Sequence, residues 1–212
     1  FRHTPFYCEE NVYFLCKKLC EDGVARADGS DLYVAFISNE LKQAIDTLLI
    51  LIVGFHHDQI PLWNQKASNR ADGVILWDYH VICIQVRRNN LPRLVWDLDS
   101  TLPFPSPLPS YLDHTLRPSF KLFSDFVRVF RIVCGPMFLR HFASDRRHMK
   151  DSEGNWIHPP PSYEPIGTSS VHNLNEYIEM SSKDVGTTIL DDVDARKLGV
   201  LVGESQLEEF FS

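Results

Sequence analysis

A mixed, mostly antiparallel β-sheet flanked by helices, in one α+β or three-layer α/β domain, is the architecture predicted for this chain of 212 residues. Three observations predict it. An amphipathic helical pattern comes first, short β-branched and aromatic runs follow at irregular spacing, and two of those runs are set as a hairpin. With 44% hydrophobic and 23% charged residues the composition is ordinary globular material that can bury a real core. A single domain over residues 1–212 is the expectation.

Each element has its own signal. Val12, Leu15, Cys16 and Leu19 recur at helical spacing, with Gly23 to end the helix and Cys8 one turn earlier on the same face. Residues 32–37 read as a buried strand. Residues 74–86 and 94–98 are β-branched and aromatic, and the polar stretch 87–93, with Asn89, Asn90 and Pro92, turns them into a hairpin. Pro103, Pro105, Pro107 and Pro109 predict an extended, strand-averse surface connector. Residues 116–130 look helical, 129–134 form a strand, and 144–163 form a long ordered loop. Asn175 is expected to cap a short helix through Met180. Ser205 and Glu208 have capping-box spacing ahead of a last docked helix carrying Leu207, Phe210 and Phe211. No internal repeat is present.

A formal charge of −7 without a long basic run argues against nucleic-acid and anionic-membrane partners, which need clustered Lys and Arg. Five cysteines at irregular spacing fit neither a disulfide framework nor a zinc site, so a reducing compartment is expected. The longest apolar run, residues 48–55, falls short of the roughly 20 residues that span a bilayer. A start at Phe1 rather than Met leads us to expect the true N-terminus further upstream.

The chemistry-bearing residues lie in aromatic, acid-rich contexts: Tyr7-Cys8-Glu9-Glu10-Asn11, then Trp77-Asp78-Tyr79-His80, then Trp96-Asp97-Leu98-Asp99. Cys8 falls at a helix start, where unpaired N–H groups and the helix dipole favour a thiolate. Glu9 and Glu10 oppose that charge, so a cation such as protonated His80 has to outweigh them. In a hairpin with an even-length loop, His80 shares a face with Asp97 and Asp99; an odd-length loop puts both aspartates on the far side. Periodicity does not choose between the two. His56 and His57 point apart and lack further ligands, so no metal site is expected there. His141, His148 and the charged stretch 143–147 read as an ion-paired surface turn. Cys16, Cys20, Cys83 and Cys134 read as structural.

At these residues the chain resembles the protein N-terminal glutamine amidohydrolase family. The likeness covers Tyr7-Cys8-Glu9-Glu10-Asn11-Val12, Ala35-Phe36-Ile37-Ser38-Asn39-Glu40, Ile60-Pro61-Leu62-Trp63, Trp77-Asp78-Tyr79-His80-Val81, Asp97-Leu98-Asp99 with Leu102-Pro103-Phe104-Pro105, and Phe142-Ala143-Ser144-Asp145-Arg146 through His148-Met149-Lys150-Asp151 to Gly154-Asn155-Trp156. The ending Gln206-Leu207-Glu208-Glu209-Phe210-Phe211 is similar to that of plant members. The resemblance implies a fold related to papain-like and transglutaminase-like thiol enzymes and hydrolytic deamidation of an N-terminal glutamine. It implies Cys8 as nucleophile, His80 as general acid and base, and Asp97, over Asp99, as the residue orienting His80. It further implies a cofactor-free monomer that serves the N-degron route in cytoplasm and nucleus, with peptides or proteins bearing a free N-terminal glutamine as partners. Glu10, Asp78 and Asp99 are candidates, by charge and neighbourhood, to bind the substrate's α-ammonium. Residues 44–59, with the apolar stretch 48–53, interrupt the family pattern and read as an insertion from a splice or gene-model variant. Two alternatives stand beside this reading: another thiol protease or transglutaminase-type acyltransferase, and an inactive module that binds terminal glutamine.

Overall fold

The computed structural model describes residues 1–39, 59–89, 91–117, 127–167, 172–186 and 189–211. Helix α1 (Cys8–Glu21) places Val12, Leu15, Cys16 and Leu19 on one buried face, with Glu9 and Glu10 in its first turn and Lys18 in its last, as the helix dipole favours. It ends at Gly23, whose left-handed backbone (φ +69°) closes the last turn through an N–H bond to the Cys20 carbonyl.

Strand β1 (Leu32–Ser38) is buried along its whole length because it lies inside a six-stranded sheet, between β4 (His80–Gln85) and β7 (Val129–Cys134). The order is β6-β5-β4-β1-β7-β8, completed by β5 (Leu94–Trp96), β6 (Ser106–Pro107) and β8 (Val200–Gly203), and every pairing is antiparallel. That is the antiparallel end of the range the sequence predicts. One face, carrying Val34, Phe36, Val81 and Cys83, packs on α1, on α3 (Gly135–His141) and on α4 (Leu174–Ile178). The other, carrying Ala35, Ile37, Ile82, Ile84, Phe130 and Ile132, is covered by α2 (Leu108–Tyr111), its continuation through Leu116, a ribbon of β2 (Ile60–Leu62) and β3 (Ile75–Trp77), and the tail helix α5 (Leu207–Phe210). The result is three layers.

Several expectations change. The run 74–86 is two strands: β3 (Ile75–Trp77) leaves the main sheet to pair with β2 (Ile60–Leu62), and β4 begins at His80. Asp78 makes the break, its carboxylate accepting the Tyr79 N–H at 3.0 Å in place of a ladder bond. Strand β5 stops at Trp96 for a similar reason, since Asp97 Oδ1 accepts the Asp99 N–H at 2.9 Å. The proline series is not a surface connector. Pro107 sits on the edge strand β6, where a missing N–H costs nothing, Pro109 falls in the first turn of α2, and Ser106, Leu108 and Tyr111 are buried.

Within 116–130, residues 118–126 lie outside the described set; Leu116 ends a helical turn and Val129 and Phe130 are already strand. Helix α4 starts after Asn173 rather than Asn175, because the Asn173 side chain is committed to Ala143 N–H and the His141 carbonyl. Helix α3 and strand β8 have no counterpart in the sequence reading. The long loop and the docked tail hold, with Leu207 and Phe211 buried, although a short turn (Glu204–Gln206) leads into α5 rather than a Ser205 cap.

Residues 44–58 of the expected insertion, the apolar run 48–55 and His56 and His57 lie outside the described residues. Their flanks are joined, since Asn39 Nδ2 donates to the Gln59 carbonyl at 3.3 Å. Among the described residues, no helix is long and apolar enough to cross a membrane.

Candidate active site

The β4–β5 register pairs Cys83 with Trp96, Ile84 with Val95 and Gln85 with Leu94, which makes the connection 86–93 even in length. His80 and Asp97 therefore face the same way. Their side chains meet, His80 Nε2 lying 3.0 Å from Asp97 Oδ1, both out of contact with water. Asp97 is fully engaged: Oδ1 also accepts the Asp99 N–H, and Oδ2 accepts the Tyr111 hydroxyl at 2.7 Å. Trp77 stacks on the His80 ring with centroids 5.2 Å apart. One edge of the imidazole is thus bonded and one face covered, while buried Nδ1 has no hydrogen-bond partner.

Cys8 is the first residue of α1 and is buried in the same cluster as Tyr79 and Val81, the neighbours of His80 in sequence. The Val81 N–H, one residue past His80, favours the Cys8 thiolate against the effect of burial. The helix start and the strand start are thereby brought together at the sheet's end. Cys8 also opens onto a cavity of about 460 Å³ lined by Phe6, Trp77, Asp78, Tyr79, His148 and Ile157, among others. Phe6, two residues before Cys8, adopts a left-handed backbone (φ +69°) and stacks on His158 with centroids 3.7 Å apart, which builds one wall of that cavity.

The electrostatics differ from the sequence expectation in one respect. Burial pushes the Cys8 thiol well up, and the Glu9, Asp99 and Asp78 charges push the same way, so the helix start does not yield a resting thiolate. Burial pulls the His80 imidazolium down, but the charge and hydrogen bond of Asp97, with Asp99 and Asp78 behind it, leave it raised. Burial works against Asp97, yet His80, Tyr111 and the Asp99 N–H hold it below the usual carboxylate range. His80, Asp97 and Asp99 present ligand atoms within 4.8 Å of one another, close enough for a metal ion. A cation there would have to displace the hydrogen bonds just described.

The three carboxylates singled out for substrate binding are placed very differently. Glu10 is fully buried and clamped by Arg146, whose Nε and Nη2 lie 2.8 and 2.9 Å from its two oxygens. Asp99 accepts His3 Nε2 at 2.7 Å, beside Asp97. Asp78 alone of the three lines the cavity that holds Cys8. The stretch 143–147 is only partly the surface turn expected of it. Arg147 and Asp145 pair on the outside, but Arg146 is buried under the site because Glu10 needs a partner there. His148 turns inward as well, its Nε2 3.4 Å from Glu9 Oε1, whereas Cys16, Cys83 and Cys134 are buried and Cys20 half-buried, as structural cysteines should be.

Sequence reasoning does not find Tyr111, Trp77 as a stacking partner, Arg146 or His3. Trp77 lies three residues from His80 in the Trp77-Asp78-Tyr79-His80 block, which is the one local signal among them.

A cysteine at a helix N-terminus is set against a strand that opens on His80, which is bonded in turn to Asp97 at the end of the neighbouring strand. The model of the family described as "N-terminal glutamine amidase" matches residues 3–211. The chain is 54% identical to the protein N-terminal glutamine amidohydrolase of Arabidopsis thaliana, over 100% of this chain and 92% of that protein. It is 50% identical to the Oryza sativa subsp. indica protein of the same name (100% and 87% covered) and 38% to that of Bos taurus (84% and 77%). The chain belongs to the N-terminal glutamine amidase family.

Proposed function

We propose that this protein is a hydrolase that deamidates the side chain of an N-terminal glutamine, on peptides and proteins, to glutamate. The observation that carries the reading is Cys8 packed, at the start of α1, against the residues on either side of His80, while His80 turns Nε2 to Asp97 and keeps Nδ1 in reserve. Family membership supplies the substrate class.

Cys8 is the nucleophile, His80 the acid and base, and Asp97 the residue that fixes the imidazole. The thiol proton passes to His80 Nδ1 as sulfur attacks the carboxamide carbon. Because the thiol rests protonated, transfer and attack are closely linked. The tetrahedral oxyanion is stabilised by N–H groups at the start of α1, which have no acceptor within the helix. Collapse breaks the C–N bond, His80 returns the proton, and ammonia leaves a thioester. Water, deprotonated by His80, adds to the acyl carbon, and the thiol is restored with glutamate released. Receipt of the substrate's α-ammonium is assigned to Asp78, on the support that it lines the cavity that holds Cys8.

The reading extends to a cofactor-free monomeric domain over residues 1–212 that acts in cytoplasm and nucleus, in the N-degron route, with no nucleic-acid or membrane partner. The test is mass spectrometry of a short Gln-initiated peptide with the parent chain, with Cys8→Ala, and with the amino-acetylated peptide. Conversion to the Glu form is expected only with the parent chain and the free terminus. Cleavage or amine cross-linking of an internal-glutamine peptide would favour a protease or acyltransferase instead. Binding of the Gln peptide without conversion would leave an inactive recognition module.

A further inference from the structure

Glu9 is buried beside the nucleophile and has no part in the chemistry just described. Its side chain is fully shielded from water, with Oε2 3.7 Å from Cys8 Sγ and 3.0 Å from the Tyr79 hydroxyl. Oε1 lies 3.4 Å from His148 Nε2 but makes no hydrogen bond. Oε1 is thus a buried carboxylate oxygen with no donor, and such an atom calls for a reason. The groups around Glu9, namely Cys8, Tyr79 and His148, all line the 460 Å³ cavity.

We infer that Glu9 distinguishes a side-chain carboxamide from a side-chain carboxylate, accepting an N–H of the substrate's carboxamide and repelling the glutamate product. The inference rests on the deamidation reading above. A carbon attacked by sulfur sits about 3–3.5 Å from it in a near-attack geometry. The carboxamide nitrogen, one bond further, then comes within reach of Oε2, 3.7 Å from that sulfur, where loss of the S–H on attack frees an acceptor position beside the Tyr79 hydroxyl. Glutamine brings two N–H donors to this acceptor. Glutamate brings none, and sets a second carboxylate against the first. Such a site binds amide, promotes release of acid and limits product inhibition. Glu10 does not serve, because Arg146 occupies both of its oxygens. Asp78 lies at the same cavity, and its charge attracts the α-ammonium equally for both ligands, so it provides no discrimination of this kind.

The test measures binding to the full chain carrying Cys8→Ala, which binds without turnover. Three tripeptides that differ only at the first side chain are compared: Gln, Glu, and the γ-methyl ester of Glu, which has neither charge nor N–H. The expected order is Gln, then ester, then Glu, with Gln about 100-fold or more ahead of Glu, as for sites built around a hydrogen bond. Adding Glu9→Gln is expected to shrink the Gln-to-Glu gap below about 10-fold, mainly by tightening Glu. An undiminished gap in that variant overturns the assignment, as does equal binding of Gln and Glu by Cys8→Ala itself. If Glu9→Gln does not fold, Glu9→Asp carries the test. Weaker Gln binding with Glu still excluded supports the assignment, and equal weakening of all three ligands overturns it. Turnover of the Gln peptide by the parent chain is followed in parallel. Turnover with an unchanged gap in Glu9→Gln sinks only the role of Glu9, and absence of turnover sinks both readings.

Discussion

Glu9 and Glu10 are sequence neighbours in the first turn of α1, and both are fully buried, yet their surroundings divide the site in two. Glu10 faces Arg146, in a pairing that uses both oxygens and is backed by the Tyr163 ring 5.0 Å from the guanidinium carbon. Glu9 faces the thiol, the Tyr79 hydroxyl and His148, all of them residues that line the cavity, with an oxygen to spare. Asp97 belongs with Glu10 in being saturated, and His80 Nδ1 with Glu9 in having capacity left. Saturated polar groups hold the shape of the site; those with unmet capacity are where substrate and protons have something to do.

Asp97→Asn breaks the saturated side where it touches chemistry, and we expect the largest effect of the substitutions there. The amide favours the wrong imidazole tautomer and removes the charge that keeps His80 raised, so kcat/KM should fall by about 10²–10⁴-fold. The pH profile supplies the sign. In the proposed mechanism His80 must be neutral to take the thiol proton, and its raised pKa puts the acid limb of the parent above the usual imidazole value of about 6.5. Without Asp97 the lowering effect of burial prevails, and the limb moves to lower pH. A limb that stays in place or moves up would assign the raising of His80 to other groups.

Arg146→Met breaks the same side where it touches only structure. Glu10 would be left buried without a cation, a situation that costs about 3–5 kcal/mol. Denaturant unfolding should report that loss, while the Gln-to-Glu discrimination of the folded fraction remains. Loss of discrimination with unchanged stability would place Arg146 in the substrate site instead. Tyr111→Phe is milder. It removes one hydrogen bond to a charged group, about 1.5–3 kcal/mol, and should lower kcat more than it raises KM, because Tyr111 contacts Asp97 rather than the cavity.

How much of this was legible in the sequence follows the range of each interaction. Helix α1 and strand β1 are periodic, local properties, and reading them in order works; the hairpin parity is not, because the polar stretch 87–93 is odd in length and only the addition of Val86 makes the connection even and sets His80 and Asp97 on one face. The resemblance then singles out Asp97 over Asp99, and His80 Nε2 does lie against Asp97. Tyr111 was hidden because four prolines suggested a surface connector, whereas the segment returns along β5 and delivers its tyrosine to the site. Arg146 was hidden inside a charge run whose neighbours are solvated, and only its partner 136 positions away explains its burial. In the sequence Glu9 is a charge that opposes the Cys8 thiolate, and in the fold it also lies in the first turn of α1. Its second role depends on where Tyr79 and His148 arrive, and no local pattern carries that.

The smallest expected effect concerns a region apart from both sides of the site. Residues 44–59 are read as interrupting the family blocks, and Gln59, the last of them, accepts a bond from Asn39 between the end of β1 and the start of β2. Removing 44–59 leaves residues 40–43 to join Asn39 to Ile60. Shortening a loop by about two doublings changes closure entropy by about 1 kcal/mol in the stabilising direction, and the lost Asn39 bond offsets part of that. Stability should therefore change by no more than about 1 kcal/mol, and kcat for a Gln peptide should stay within about 3-fold. KM is the more sensitive quantity, because Gln59 lines the cavity with Cys8 and goes with the deletion. A rise in KM alone would make Gln59 a substrate contact. Collapse of kcat would show that these residues support the site itself, and would remove the ground for treating them as an insertion into a complete family domain.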